Sequence, residues 1–289
     1  MKKKILSLGL IFCLIPSLLV GCGKKETVES IFSNCKENLK TIESQTINVD
    51  LDAAAQLASE GLTMDIILDL YLEAKYDKEM DMHLNGMLDF SFAGQEESLP
   101  IESYIDVEGQ TVTGYDFDSD TNSWEKEIKE ETVDEYYKGI EKIDLFGFLL
   151  NNKESFTLSE ETITYREKEC YELKGNINFK DLYAYFKELK LIDEEEENDI
   201  LSSDMNFSVD ANVPVVLYVH SEKMIPLYVE MDLFETLKAF ESSMQNMADS
   251  SESFSQLDLS FNFKTFKITV NLKDQNKTEV EVPNDIKFD

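Results

Sequence analysis

The sequence predicts an α+β fold: a strongly curved antiparallel β-sheet, or half-barrel, with amphipathic helices packed on its concave face. Three observations predict it. Long runs alternate apolar and polar residues, so one sheet face is wet, which is the mark of antiparallel pairing. A run such as "LTMDIILDLYLEA" spans about 40 Å at roughly 3.3 Å per residue, and strands of that length twist and coil. Between the runs lie stretches of helical period, whose apolar stripes need a sheet face to cover.

The chain opens with "MKKK", a short basic region, followed by the apolar "ILSLGLIFCLIPSLLV". That run is too short and too interrupted by proline to read as a membrane span. It ends in "LVGC", Leu19 to Cys22, which is similar to a bacterial lipobox. Small residues before the cysteine suit a narrow peptidase cleft, and the thiol is the nucleophile that takes up the lipid. The organisation expected is a signal peptide over 1–21, a lipidated tether over 22–26 and a single domain over 27–289. Cys22 would carry diacylglycerol and palmitate, since stable anchoring takes more than one chain. The chain would then sit, lipid-anchored, on the extracytoplasmic face of the cell membrane. An ordinary secretory signal followed by an unrelated cysteine is the alternative.

Val28, Ile31, Phe32, Cys35 and Leu39 form one helical stripe. Strands follow. Ile47, Val49, Leu51, Ala53, Ala55 and Leu57 alternate, as do Met64, Ile66, Leu68, Leu70, Leu72 and Ala74. Met80, Met82, Leu84, Leu88, Phe90 and Phe92 share a face interrupted at Gly86, with turns at Gly61, "YDKE" and "AGQEESLP". "PIESYIDVEG", "QTVTGYDFDSD" and "NSWEKEI" continue the sheet, "VDEYYKGIEKIDLFGFLL" reads as helix, and "ESFTLSEETITYREKECYELKGNI" returns to strands. Phe179, Leu182, Tyr183, Phe186 and Leu189 mark an amphipathic helix, and "IDEEEENDILSSD" an acidic linker. "VPVVLYVHSEKMIPLYVEMDL" is a hairpin, "FETLKAFESSMQNMA" a helix and "DSSESFSQ" a polar connection. In "LDLSFNFKTFKITVNL" the apolar parity shifts, and a bulge near Lys264-Thr265 restores it. "TEVEVP" reads as a last strand.

Composition excludes several function classes. The formal net charge is −32, and loss of Lys2, Lys3 and Lys4 with the signal peptide takes it to −35. Such a surface repels nucleic acid and anionic headgroups. Arg166 is the only arginine, so a bidentate phosphate clamp is disfavoured. The two histidines, His83 and His220, lie on predicted strands, and no GxSxG, GxGxxG or GxxxxGK[ST] occurs. No enzyme activity and no cofactor are implied. After processing three cysteines remain, Cys22, Cys35 and Cys170. The last two either pair, as an oxidising compartment allows, or stay as separate buried thiols.

"YDFDSDTNSWEKE" places Asp116, Asp118, Asp120, Asn122 and Glu127 near the spacing of a calcium loop. Thr121 stands where such a loop needs glycine, and the flanks read as strands rather than helices. The stretch reads instead as a hairpin tip in which Trp124 anchors back onto the sheet, and no metal site is expected. Methionine on the apolar faces suits a variable hydrophobic ligand as well as ordinary gap-filling. Ala53 and Ala55 leave room for a ligand or for a helix.

The lipobox, the N-terminal helix, the long alternating strands, "SWEKE" after a turn, the "VPVVLYVHSEKMIPLYVEMDL" hairpin and the closing "VEVPNDI" resemble lipoprotein carriers of the LolA/LppX type. They are also similar to Gram-positive surface lipoproteins with that half-barrel. The resemblance implies an unclosed barrel whose apolar inside holds acyl chains or another hydrophobic ligand, a lipid or glycolipid, with no catalytic residues. The cavity residues expected are Met64, Ile66, Leu68, Met80, Met82, Leu84, Leu88, Phe90 and Met231. Partners would be the membrane, through the diacylglycerol on Cys22, and a lipid ligand or an envelope protein. The alternative function is an envelope protein-interaction module whose cavity is filled by its own helices.

Overall fold

The computed structural model describes residues 26–59, 62–128, 132–133, 135–136, 145–188, 211–239, 241 and 259–283. Cys22 and the signal peptide, the acidic linker and most of the segment after Glu241 lie outside them. Twelve strands form one sheet: β1 (Gln45–Ser59), β2 (Leu62–Tyr76), β3 (Met82–Phe92), β4 (Gln95–Glu108), β5 (Thr111–Asp118) and β6 (Ser123–Ile128). They continue with β7 (Phe156–Leu158), β8 (Ile163–Tyr165), β9 (Lys168–Asn178), β10 (Asn212–His220), β11 (Pro226–Asp232) and β12 (Leu259–Lys273). The spatial order is β6-β5-β4-β3-β2-β1-β12-β11-β10-β9-β7, with β8 paired to β9. Every pairing is antiparallel. The sheet does not close, because β6 and β7 stand at its two ends.

Three helices have described ends: α1 (Val28–Leu39), α2 (Leu145–Asn151) and α3 (Phe179–Glu188). α1 begins on a capping box. Ser30 N–H donates to Thr27 Oγ1 at 3.2 Å, and Thr27 N–H donates to Ser30 Oγ at 2.8 Å. The stripe expected from sequence is the buried one, with Ile31, Phe32 and Cys35 inaccessible. These helices cover β7 and β9–β12. Phe32, Leu149 and Leu182 pack there with Leu173, Ile177, Val215, Leu217, Val229 and Met231 in the main core. A second, smaller core joins Val133 and Tyr136 to Val112, Met80, Met82, Ile105 and Val107.

The parity break in β12 is a bulge. Ala54 pairs with Thr265 and Ala55 with Phe263, so Lys264 is left over and the apolar phase is restored. The Ala93–Gly94 turn between β3 and β4 has positive φ at both residues, 53° and 82°, as a two-residue primed turn requires. Sequence reading extends that turn through "AGQEESLP", but β4 already starts at Gln95. Pro100 fits because β5 pairs only with Ser103–Glu108, which leaves this part of β4 an edge where a missing N–H costs little.

Two further expectations are corrected. "TEVEVP" forms no strand. Both edges of β1 are already taken by β12 and β2, and side chains hold the segment instead. Thr278 N–H donates to Ser44 Oγ at 3.1 Å, and Val280 N–H donates to Asp77 Oδ2 at 3.4 Å. Met80 is in a turn rather than on β3, with φ 67°. The Asp77 carboxylate accepts from the N–H groups of Glu79 and Asp81, each at 3.0 Å, and so folds the chain before β3 can begin. Cys35 and Cys170 are both free and buried, in different clusters. Burial pushes the Cys35 thiol up to about 12, which leaves it un-ionised and inert at neutral pH.

Candidate hydrophobic-ligand face

Because residues directly opposite each other in a ladder share a face, the register fixes one apolar face across the sheet. One row runs Val215, Met231, Ile268, Leu51, Leu70, Leu88, Leu99. The next runs Phe266, Ala53, Leu68, Phe90, Glu97, and beyond it lie Phe263, Ala55, Ile66, Phe92 and Gln95. The sequence-predicted set Met64, Ile66, Leu68, Leu84, Leu88 and Phe90 therefore comes together on β2 and β3. Ala53 and Ala55, small between bulky neighbours, lower the floor along β1.

The row through Met231 changes character along its length. Met231 is 2% exposed, packed beneath the helices, while Leu99 at the far end is 38% exposed. Phe90 and Phe92 are 39% and 37% exposed, and their rings lie nearly parallel, 7° apart, at 6.5 Å. No residue of β1 or β2 belongs to any packed core cluster among the described residues. One half of the apolar face is thus a protein core, and the other half, over β1–β4, is more open: Leu51, Leu70 and Leu88 are half-buried, and Phe90, Phe92 and Leu99 are exposed. Met231 sits in the covered half. Met80 and Met82 sit at a corner closed by Tyr136, whose hydroxyl donates to Met82 Sδ at 2.9 Å.

Leu99 and Ile101 extend the open half, and sequence reading missed them. Their alternation continues through Ile105 and Val107, but Glu96, Glu97 and Pro100 gave the stretch the look of a turn. Gly86 lies in this floor opposite Leu72 and Ile101. Leu72 Cδ2 would stand only 2.7 Å from a methyl placed there, so that side chain already fills the gap.

The opposite face is mostly polar and aromatic, though Ile67, Tyr71 and Met87 are exposed on it. Tyr218 stacks on Tyr228 at 4.8 Å, and the Tyr165 hydroxyl donates to Asn271 Oδ1. Burial and the Glu230 carboxylate, on which the Tyr228 hydroxyl donates at 2.5 Å, both push that phenol up. His83 lies flat on Tyr104, ring centroids 4.2 Å apart, and burial lowers its pKa. His220 Nδ1 accepts from the Glu222 N–H at 3.2 Å and so caps the β10–β11 turn. A recess of about 300 Å³ on this face is lined by Asp50, Asp52, Asp69 and Asp89 with Lys267 and Thr269, beside Tyr71 and Met87. Four carboxylates make it hostile to an acyl chain, so the hydrophobic-ligand candidate is the other face.

The calcium-like stretch is the β5–β6 hairpin. The Asp118 carboxylate accepts from the N–H groups of Asp120 at 2.8 Å and Thr121 at 3.3 Å, and the Thr121 hydroxyl together with these turn bonds holds its pKa low. Trp124 pairs with Phe117 across the strands and packs on Tyr104, 5.7 Å between centroids. Among the described residues no group of three or more His, Cys, Asp or Glu is arranged to hold a metal ion. No described helix is long and apolar enough to cross a membrane.

No protein-family model matches the chain and no curated protein does. Among solved structures it is similar to the lipoprotein LppX of Mycobacterium tuberculosis, at 8% identity, 90% of this chain and 98% of that one, TM-score 0.36. It is similar to LprF of Mycobacterium bovis, at 9% identity, 90% and 97% coverage, TM-score 0.40. A third is an outer membrane lipoprotein-sorting protein domain from Vibrio parahaemolyticus, at 9% identity, 89% and 95% coverage, TM-score 0.23.

Proposed function

We propose that this chain is a lipoprotein, anchored through Cys22 on the extracytoplasmic face of the membrane, that binds a lipid or glycolipid without catalysis. The open half of the apolar face is the binding surface. The observation that carries this reading is the exposure gradient from Met231 to Leu99 within one apolar row. Contiguous apolar surface is normally covered, and where it is left open it marks an interaction site. β2 from Met64 to Leu72 offers an apolar lane of roughly 26 Å at about 3.3 Å per residue. That length takes one extended acyl chain. Each methylene buried there contributes about 0.8 kcal/mol before the costs of ordering the ligand.

Both histidines are engaged on the polar face, His83 against Tyr104 and His220 at a turn, which supports binding over catalysis. The alternative, an interaction module filled by its own helices, describes the β9–β12 half well. It does not describe β1–β4, where the described residues leave Phe90, Phe92 and Leu99 open.

Titration with a fluorescent acyl probe, whose emission rises in apolar surroundings, tests the reading. Saturable binding is expected, weakened at least tenfold in Phe90→Asp, a position open enough for the variant to fold. A probe signal that never saturates, or that Phe90→Asp leaves unmoved, contradicts it.

A further inference from the structure

Charge is segregated between the faces of the sheet. By the register, the strand lysines Lys75, Lys126, Lys168, Lys174, Lys267 and Lys273 share the polar face with His83 and His220. Lys264 is the bulge residue. Among the described residues, no strand position on the apolar face carries Lys, Arg or His. The charged residues that do occur there are acids. Glu97 stands opposite Phe90, at the open end of the surface, and Asp116, Asp118, Glu125 and Glu127 follow on the β5–β6 margin. Asp116 accepts from Ser103 Oγ at 2.7 Å. Lys238, on the helical turn after β11, lies over the Phe234 ring, 4.5 Å from its centroid.

A carboxylate or phosphate headgroup is held by lysine or arginine. Among the described strand residues of this face it would find neither, and at the exposed end it would meet Glu97. An uncharged head meets no such repulsion, and an amine gains from it. Resting on the lipid-binding reading above, we propose that the open half of the apolar face admits amphiphiles with an uncharged or cationic head and rejects anionic ones. Glu97 sets that choice. The long-range field of a chain this acidic acts in the same direction, so the test must separate a global effect from a local one.

The full chain is loaded with the acyl probe at alkaline pH and low salt, and the probe is competed off. The competitors are a monoacylglycerol, an alkylamine and a fatty acid of one chain length. The fatty acid is expected to compete at least tenfold more weakly than the monoacylglycerol, and the gap to narrow as salt screens the charges. In Glu97→Lys the gap closes. In Glu96→Lys, which makes the same change of net charge on the polar face, where Glu96 pairs with Ser91, the gap stays. A fatty acid that competes as well as the monoacylglycerol, or two variants that respond alike, overturns the proposal while leaving lipid binding intact. If no amphiphile displaces the probe, the lipid-binding reading fails and the proposal fails with it.

Discussion

Phe32→Ala is expected to destabilise the domain by about 3–5 kcal/mol, the range for emptying a buried phenylalanine site. Phe32 is 0% exposed and sits where three elements meet. Its ring lies 5.4 Å from Phe146 on α2 and 5.3 Å from Phe156 on β7, the second contact edge-on. Phe156 in turn lies over Gly175, where a Cβ would approach its ring to 2.7 Å. Phe32 is the largest side chain of the stripe that α1 buries with Ile31 and Cys35, so losing this ring loosens the helix layer from the sheet. Domains are typically stable by only about 5–15 kcal/mol. Urea or thermal unfolding should show the midpoint fall by a large share of that. A fall under about 1 kcal/mol would mean that the helix layer is not held through this aromatic cluster.

Gly86→Ala is expected to destabilise as well, by about 1–3 kcal/mol as overpacking does, and to act on the binding surface. A Cβ at Gly86 would stand 2.2 Å from the Tyr71 carbonyl oxygen and 3.2 Å from the Leu72 Cα. These are backbone atoms, so β3 has to move away from β2 between Leu84 and Leu88. That movement disturbs the floor of the open half. Loss of stability measured by unfolding should therefore come with weaker binding of the acyl probe. Wild-type stability and wild-type binding together would show that the β2–β3 approach is looser than described.

Much of this fold was legible because its cause is local and periodic. The strict alternation of β1, β2 and β10, the helical stripe from Val28 to Leu39 and the parity shift at Lys264 each follow from backbone geometry over a few residues. What failed had non-local causes. β4 begins at Gln95 because β3 supplies a partner for every residue from there on, while Glu96, Glu97 and Pro100 conceal it. The "TEVEVP" segment has strand composition but no free strand edge to join. Met80 alternates correctly with Met82, yet the Asp77 carboxylate turns the chain at that point.

The candidate site was half legible for the same reason. Met64, Ile66, Leu68, Leu84, Leu88 and Phe90 were placed on one face by alternation alone. Which half of that face the helices cover was not. Val213 to Val219 and Met64 to Leu72 carry the same pattern in sequence, and only the packing of α1, α2 and α3 on β9–β12 makes the first a core and the second a surface. Met231 was assigned to the same set as Leu88. It lies in the same cross-strand row, but under the helices.

The central claim is that the open half of the apolar face holds a lipid in the cell. Mass spectrometry of organic extracts from the folded protein, purified without detergent from its own membrane, tests this most directly. The expected result is a lipid recovered in near-stoichiometric amount from the wild-type chain and lost from a Leu68→Asp, Phe90→Asp double variant that remains folded. Repeated recovery of folded wild-type protein with no lipid in its extracts would contradict it.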